Sequence, residues 1–204
     1  MANPEGDGAI GQFERIRDFA QSRFFRYGYS SITIDEIATE LRMSKSTIYR
    51  FFKSKDELLE EAVEFYSEMI MKGFVAEGAR TVEAFIKEFK AAATFIADAI
   101  DQLDPRARDD LRSAVPKIWK RLQVLQHRSI TSVFSKLLQM GVDVNLIRSD
   151  IDPAFAGDLL AMSFESILWG DALQSSGLSR FEALQSLADM LFTGILAKPY
   201  HRRA

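Results

Sequence analysis

The sequence predicts an all-α protein on three counts. Apolar residues recur three and four apart over most of the 204 residues, the spacing of a single helix face. Helix-start signals punctuate those stretches: Thr33 with Glu36, Ser54 with Glu57, Ser179 with Glu182, Asp104 before Pro105 and Asp152 before Pro153. No segment sustains the period-two alternation of a strand, and no turn reads as a hairpin.

Taken in order, residues 1–9 are acidic and glycine-rich and are expected to be disordered. A helix follows to about Tyr27, with Phe13, Ile16, Ala20 and Phe24 facing inward and Gly28 at its C-terminal cap. Thr33 caps a short second helix whose stripe is Ile34, Ile37, Ala38 and Leu41. The pattern breaks at Arg42, Met43 and Ser44. Ser44 caps a third helix with Ile48 and Phe52 inward and Lys45, Ser46, Thr47, Tyr49 and Arg50 outward. Ser54 opens a longer helix that ends near Gly73 or Gly78. Further helices are expected at 82–101, from Pro105 with a break at Pro116, from about 117 to Met140 ended by Gly141, from Pro153 to about Ser175, and from Ser179 to before Pro199. The expected organisation is a disordered start, a head at 10–56 with a connector at about 54–73, and a helical body at 57–204.

Two short helices joined by a tight turn, the second polar and basic, form a helix-turn-helix, whose second helix enters the DNA major groove. Charge agrees with this. Arg42, Lys45, Arg50, Lys53 and Lys55 form a window of five cations without an acid in a chain of net charge −3, so the remainder is net −8. A basic patch on an acidic body fits a protein that touches DNA on one surface.

The run carried by Ala38, Ser44, Thr47, Ile48, Tyr49, Phe51, Phe52, Ser54, Lys55 and Leu58 resembles the DNA-binding signature of the tetracycline-repressor (TetR/AcrR) family of bacterial regulators. The resemblance covers roughly the first third of the chain. Arg42 stands where such proteins usually have glycine, because the backbone of the turn favours positive φ. The resemblance implies DNA contacts from Ser44, Lys45, Ser46, Thr47, Tyr49 and Arg50, and Thr33 and Lys55, which begin or neighbour helix N-termini, are expected on phosphates. In similar proteins the tyrosine at the Tyr49 position touches the backbone, and residues at Lys45, Ser46, Thr47 and Arg50 face bases or phosphates. It also implies a homodimer through the last two helices, here about 153–197, and favours repression, with a small-molecule effector bound in the body.

In the body the sequence speaks less clearly. Its last two helices are apolar on more than one face, which suits either a central core helix or a pair packed on its own copy. Phe89, Trp119, His127, Phe134, Glu165 and Trp169 are candidates to line a pocket for a mostly apolar ligand, although plain core packing is the favoured account of any one of the aromatics. Glu165 lies among Ala161, Met162, Leu168 and Trp169 on its helix, so it needs a partner or a shifted pKa. Cysteine is absent, which excludes disulfides and thiolate chemistry. No P-loop, dinucleotide-binding or hydrolase motif occurs, so no enzymatic activity, metal or cofactor is expected. The start lacks the features of a secretory signal and no run is long enough to cross a membrane, so a cytoplasmic protein is expected. The competing reading is a ligand sensor or interaction protein of the same fold that no longer binds an operator.

Overall fold

The computed structural model describes residues 4–169, 177 and 180–195. Among them are nine helices and no strand: α1 (Pro4–Tyr27), α2 (Ile34–Leu41), α3 (Lys45–Phe51), α4 (Lys55–Gly73), α5 (Val82–Asp101), α6 (Pro105–Ala114), α7 (Pro116–Asp143), α8 (Pro153–Trp169) and α9 (Arg180–Ile195). Two boundaries depart from expectation. Helix α1 begins at Pro4, within the stretch expected to be disordered; proline suits a first helical position, where its missing N–H has no partner to lose. Helix α7 continues through Gly141 to Asp143. That glycine serves packing, since a Cβ there would lie 2.8 Å from Ile147 and 2.9 Å from Phe85. The chain turns instead at Asn145, at a φ of 59°.

The chain divides into two compact units. The first comprises the chain up to Met69 together with residues 101–125; the second comprises 70–100 and 126 onward. The unit that holds the helix-turn-helix is therefore larger than residues 10–56. It takes in most of α4, the expected connector, together with all of α6 and the start of α7, which the sequence placed in the body.

In the first unit, Ile16, Ala20 and Phe24 of α1 are buried with Ile37, Ala38 and Leu41 of α2 and with Ile48 and Phe52 at α3. Phe13 stacks on Phe52 with ring centroids 4.9 Å apart. A three-helix core of this size is marginal alone, and α6 adds a long-range tie. The Asp110 carboxylate accepts the Ser30 N–H at 2.7 Å, and Asp104 donates its N–H to the Phe25 carbonyl at 2.9 Å. Gly28, at a φ of 86°, leaves room for this: a Cβ would sit 2.7 Å from the Asp110 Oδ2.

In the second unit, Phe89 contacts Phe134 at 5.1 Å and Phe192 at 4.9 Å, and Phe134 contacts Phe164 at 4.8 Å. This aromatic chain joins α5, α7, α8 and α9. Helices α7 and α8 approach closely at Gly157, where a Cβ would fall 2.9 Å from the Ser135 backbone N. The loop after α4 is held by Glu88 of α5. Its carboxylate accepts the N–H of Glu77, that of Gly78 at 2.8 Å and that of Ala79 at 3.2 Å.

Candidate nucleic-acid interface

Helix α2 starts as its sequence dictates. The Thr33 hydroxyl accepts the Glu36 N–H, and the Glu36 carboxylate takes the Thr33 N–H at 2.7 Å and its hydroxyl at 2.9 Å. Both Thr33 donors, proposed for phosphate from sequence, are thus already engaged by a carboxylate. The turn closes at Arg42, which occupies the left-handed region at φ 54° and ψ 43°. The Met43 N–H returns to the Ala38 carbonyl at 2.8 Å, satisfying an end of α2. Arg42 therefore does what glycine would do with less strain.

The start of α3 is a cluster of hydroxyls. Ser44 Oγ accepts the Thr47 N–H at 3.1 Å and lies 2.7 Å from Ser46 Oγ and 2.8 Å from Thr47 Oγ1. Ile48 is fully buried beneath the helix and Phe52 nearly so, while Tyr49 is 50% exposed. This apolar spine turns Lys45, Ser46, Tyr49 and Arg50 outward, and all four are exposed.

Three of the five cations have partners that the local sequence window does not contain. Lys45 Nζ lies 2.5 Å from the Asp35 carboxylate on α2. Arg50 donates to the Gln12 Oε1 on α1 at 2.9 Å. Lys55, the first residue of α4, lies over the Tyr29 ring with Nζ 3.8 Å from its centroid. Burial draws the Lys55 pKa below its ordinary value, against the opposing pull of Asp110, Asp56 and Glu36. Beside it, burial and the hydrogen bond to Asp56 push the Tyr29 phenol up to about 12. Asp110 has a lowered pKa; burial opposes this, but hydrogen bonds from Ser30 and Tyr29 and the Lys55 charge outweigh it.

A Lys45 ammonium that bound phosphate would first have to leave Asp35. Asp35→Asn is expected to strengthen binding to all duplexes alike and to steepen the salt dependence by about one unit, since one more counterion-releasing cation becomes available. Fluorescence anisotropy between 50 and 200 mM salt, concentrations at which such slopes are resolved, measures it. An unchanged slope would mean that Lys45 leaves Asp35 for phosphate in the wild-type complex.

Among the six body candidates the structure describes one ring contact, Phe89 with Phe134, and one hydrogen-bonded pair, His127 with Glu165. Phe89 and Phe134 are completely buried in ring contact, which is core packing. Trp119 lies in the first unit and the other five in the second. The Trp169 side chain is outside the described residues. Surface grooves run elsewhere, along Phe19, Arg23, Tyr27 and Glu40 in the first unit and along Phe74, Arg80 and Lys87 in the second.

His127 and Glu165 do meet. His127 Nδ1 is 3.2 Å from Glu165 Oε2, and its Nε2 is 2.8 Å from Asp158 Oδ1. A neutral imidazole can donate from only one nitrogen, so two carboxylates are both served only by the imidazolium. Burial disfavours that cation, yet the hydrogen bonds and charges of Asp158 and Glu165 raise its pKa above the usual 6.5. Burial also raises the Glu165 pKa, against the pull of His127. The two ring nitrogens face different carboxylates, and among the described residues no group of three or more candidate ligands could hold a metal.

A raised histidine pKa contributes stability that is complete below the unfolded value and lost as pH rises through the folded one. The stability difference between wild type and His127→Gln should therefore be largest at about pH 6.5 or below and shrink at higher pH. Because Asp158 is half exposed, the expected loss is only on the order of 1 kcal/mol. Urea midpoints across this range test it; a difference that grows with pH would show that His127 is held neutral.

A short helix-turn-helix, with a polar cationic second helix set on a buried spine, is a DNA-binding module. Residues 16–62 match the family model described as bacterial regulatory proteins, tetR family. YerO of Bacillus subtilis (strain 168), described as an uncharacterized HTH-type transcriptional regulator, is 43% identical over 58 residues, or 28% of this chain and 20% of YerO. Among solved structures, one described as the molecular basis for control of antibiotic production by bacterial hormones aligns with a TM-score of 0.67 at 23% identity, covering 92% of this chain and 99% of the other. A TetR transcriptional regulator from Chloroflexus aurantiacus J-10-FL gives 0.65 at 20% identity, covering 93% and 98%. At these identities the solved structures speak for the fold alone. Residues 16–62 thus form a helix-turn-helix segment of the tetR family of bacterial regulatory proteins. No helix among the described residues is long and apolar enough to cross a membrane.

Proposed function

We propose that the protein is a homodimeric transcriptional regulator, a repressor that leaves a near-palindromic operator when its body binds a small, mostly apolar ligand. The observation that carries the DNA reading is α3, whose polar face is exposed while Ile48 and Phe52 anchor it from beneath. Ser44, Lys45, Ser46, Thr47, Tyr49 and Arg50 form the reading surface. Thr33 and Lys55 flank it and would reach phosphate after exchanging their present partners.

Dimerisation rests on α8. Phe155, Leu159 and Met162 are 64%, 46% and 55% exposed in the single chain. Their spacing places them on one stripe, and so exposed an apolar stripe suits an interface. Two copies joined there would present two reading helices to half-sites about 34–36 Å apart. The effector reading rests on the aromatic-rich second unit, with the half-buried His127–Glu165 pair as the place for a ligand's polar group.

The test is selection of a random duplex library by the full chain, with a gel shift on the DNA upstream of its own gene. A dyad-symmetric enriched sequence is expected. A chain that enriches nothing is not an operator-binding protein, and enrichment of a lone half-site would sink the dimer. Calorimetry of a ligand from a thermal-shift screen, with and without the enriched duplex, tests the effector; equal affinities would mean that the body does not control the head.

A further inference from the structure

We infer that Gln12, on α1, is a specificity-determining positioning residue for DNA recognition: it sets the plane and reach of the Arg50 guanidinium. This rests on the reading of α3 as the DNA-contacting helix. Nothing in the local pattern of the motif includes Gln12, which lies 38 residues from Arg50 in sequence.

Four contacts fix the arrangement. Arg50 Nη2 donates to Gln12 Oε1 at 2.9 Å. The guanidinium carbon lies 4.9 Å from the Phe51 ring centroid. Phe13, next to Gln12, stacks on Phe52 at 4.9 Å and meets Phe51 edge-on at 6.3 Å. Packing of Phe13 thus registers this part of α1 against the end of α3 and delivers the Gln12 amide to Arg50. An exposed arginine otherwise samples many rotamers, and ordering it on DNA carries an entropic cost. A guanidinium already stacked and tied at one nitrogen has less freedom to lose, and its remaining N–H donors stay available for a two-pronged contact.

The chemistry of the partner matters as well. Lys45 is held by a carboxylate, which offsets its charge. Arg50 is held by a neutral amide oxygen, which orients the cation without cancelling it. Once its oxygen is engaged, Gln12 still has two amide N–H donors beside the guanidinium. The pair therefore presents a continuous donor edge, suited to acceptors such as guanine O6 and N7 or a phosphate oxygen.

The experiment uses the full chain and the duplex that wild type enriches from a random library. Affinity and base preference are measured for wild type, Gln12→Ala, Arg50→Ala and the double variant. Arg50→Ala should lose about ten-fold in affinity, within the range for a two-pronged arginine contact. Gln12→Ala should lose several-fold and broaden the preference at the position that Arg50→Ala also broadens. It should change nothing further in the Arg50→Ala background. Gln12→Glu keeps the acceptor but pairs it with the cation, so it should flatten the salt slope relative to Gln12→Ala. Thermal melting controls for folding, and a surface change at Gln12 should leave it in place.

A Gln12→Ala protein with wild-type affinity and base profile overturns the inference. So does equal weakening in the wild-type and Arg50→Ala backgrounds, which would make Gln12 an independent contact. If wild type enriches no sequence, the DNA reading itself fails, and that outcome is distinct from either of these.

Discussion

A Leu159→Glu chain is expected to run as a monomer in light scattering and to lose about 10²-fold or more in operator affinity, the avidity that a second linked head supplies. The physical reason lies on α8. Leu159 is 46% exposed in the single chain, between Phe155 and Met162 on the same stripe. A carboxylate there meets water in the monomer and costs little, since surface substitutions away from special features stay within about 0.5 kcal/mol. In a dimer joined through this stripe it would be buried without a partner, which is costly. The variant thus separates folding from association: helicity and monomer melting persist while the dimer is lost. Leu159→Glu that remains dimeric would place the interface elsewhere, and a monomer that keeps full affinity would refute the two-headed reading. Leu191, in the final helix, is a poorer probe because it is partly buried within its own chain.

Phe134→Ala is expected to destabilise the protein by about 3–5 kcal/mol, the range for truncating a buried phenylalanine. Phe134 has no exposed surface and touches both Phe89 and Phe164, so its removal opens a void among α5, α7 and α8. Denaturant midpoints at constant slope measure the loss. A cost below about 1 kcal/mol, far under that of a core truncation, would show instead that the ring borders a space that ligands or water can fill. That result would restore Phe134 to the pocket.

How much the sequence disclosed follows from how local each feature is. The caps at Thr33 and Ser44, the left-handed turn at Arg42 and the inward positions Ile48 and Phe52 involve neighbours within a few residues. All were legible. The partners of Lys45 and Arg50 were not. Asp35, Gln12 and Asp110 reach Lys45, Arg50 and the α1–α2 loop across elements, and no spacing rule encodes those contacts. For the same reason residues 101–125 looked like body until folding placed them in the unit of the head. The aromatics of α5 and α7 were ambiguous on different grounds, since a core ring and a pocket ring leave the same helical periodicity. Glu165 was the exception. A carboxylate on an apolar face signals a need for a counterpart, and His127 meets it.

The grip of Glu88 on the loop after α4 has a consequence for exchange with solvent deuterium. Amides outside helices and strands ordinarily exchange fast, because nothing must open before they meet water. Here the N–H groups of Glu77, Gly78 and Ala79 all end on one carboxylate anchored in α5. A peptide covering this loop should therefore label slowly, and its protection should report the integrity of α5 rather than of the loop. In a labelling map of the whole chain, an irregular stretch would be read as regular structure. A drop in its protection would then be an early sign that the first turns of α5 have loosened.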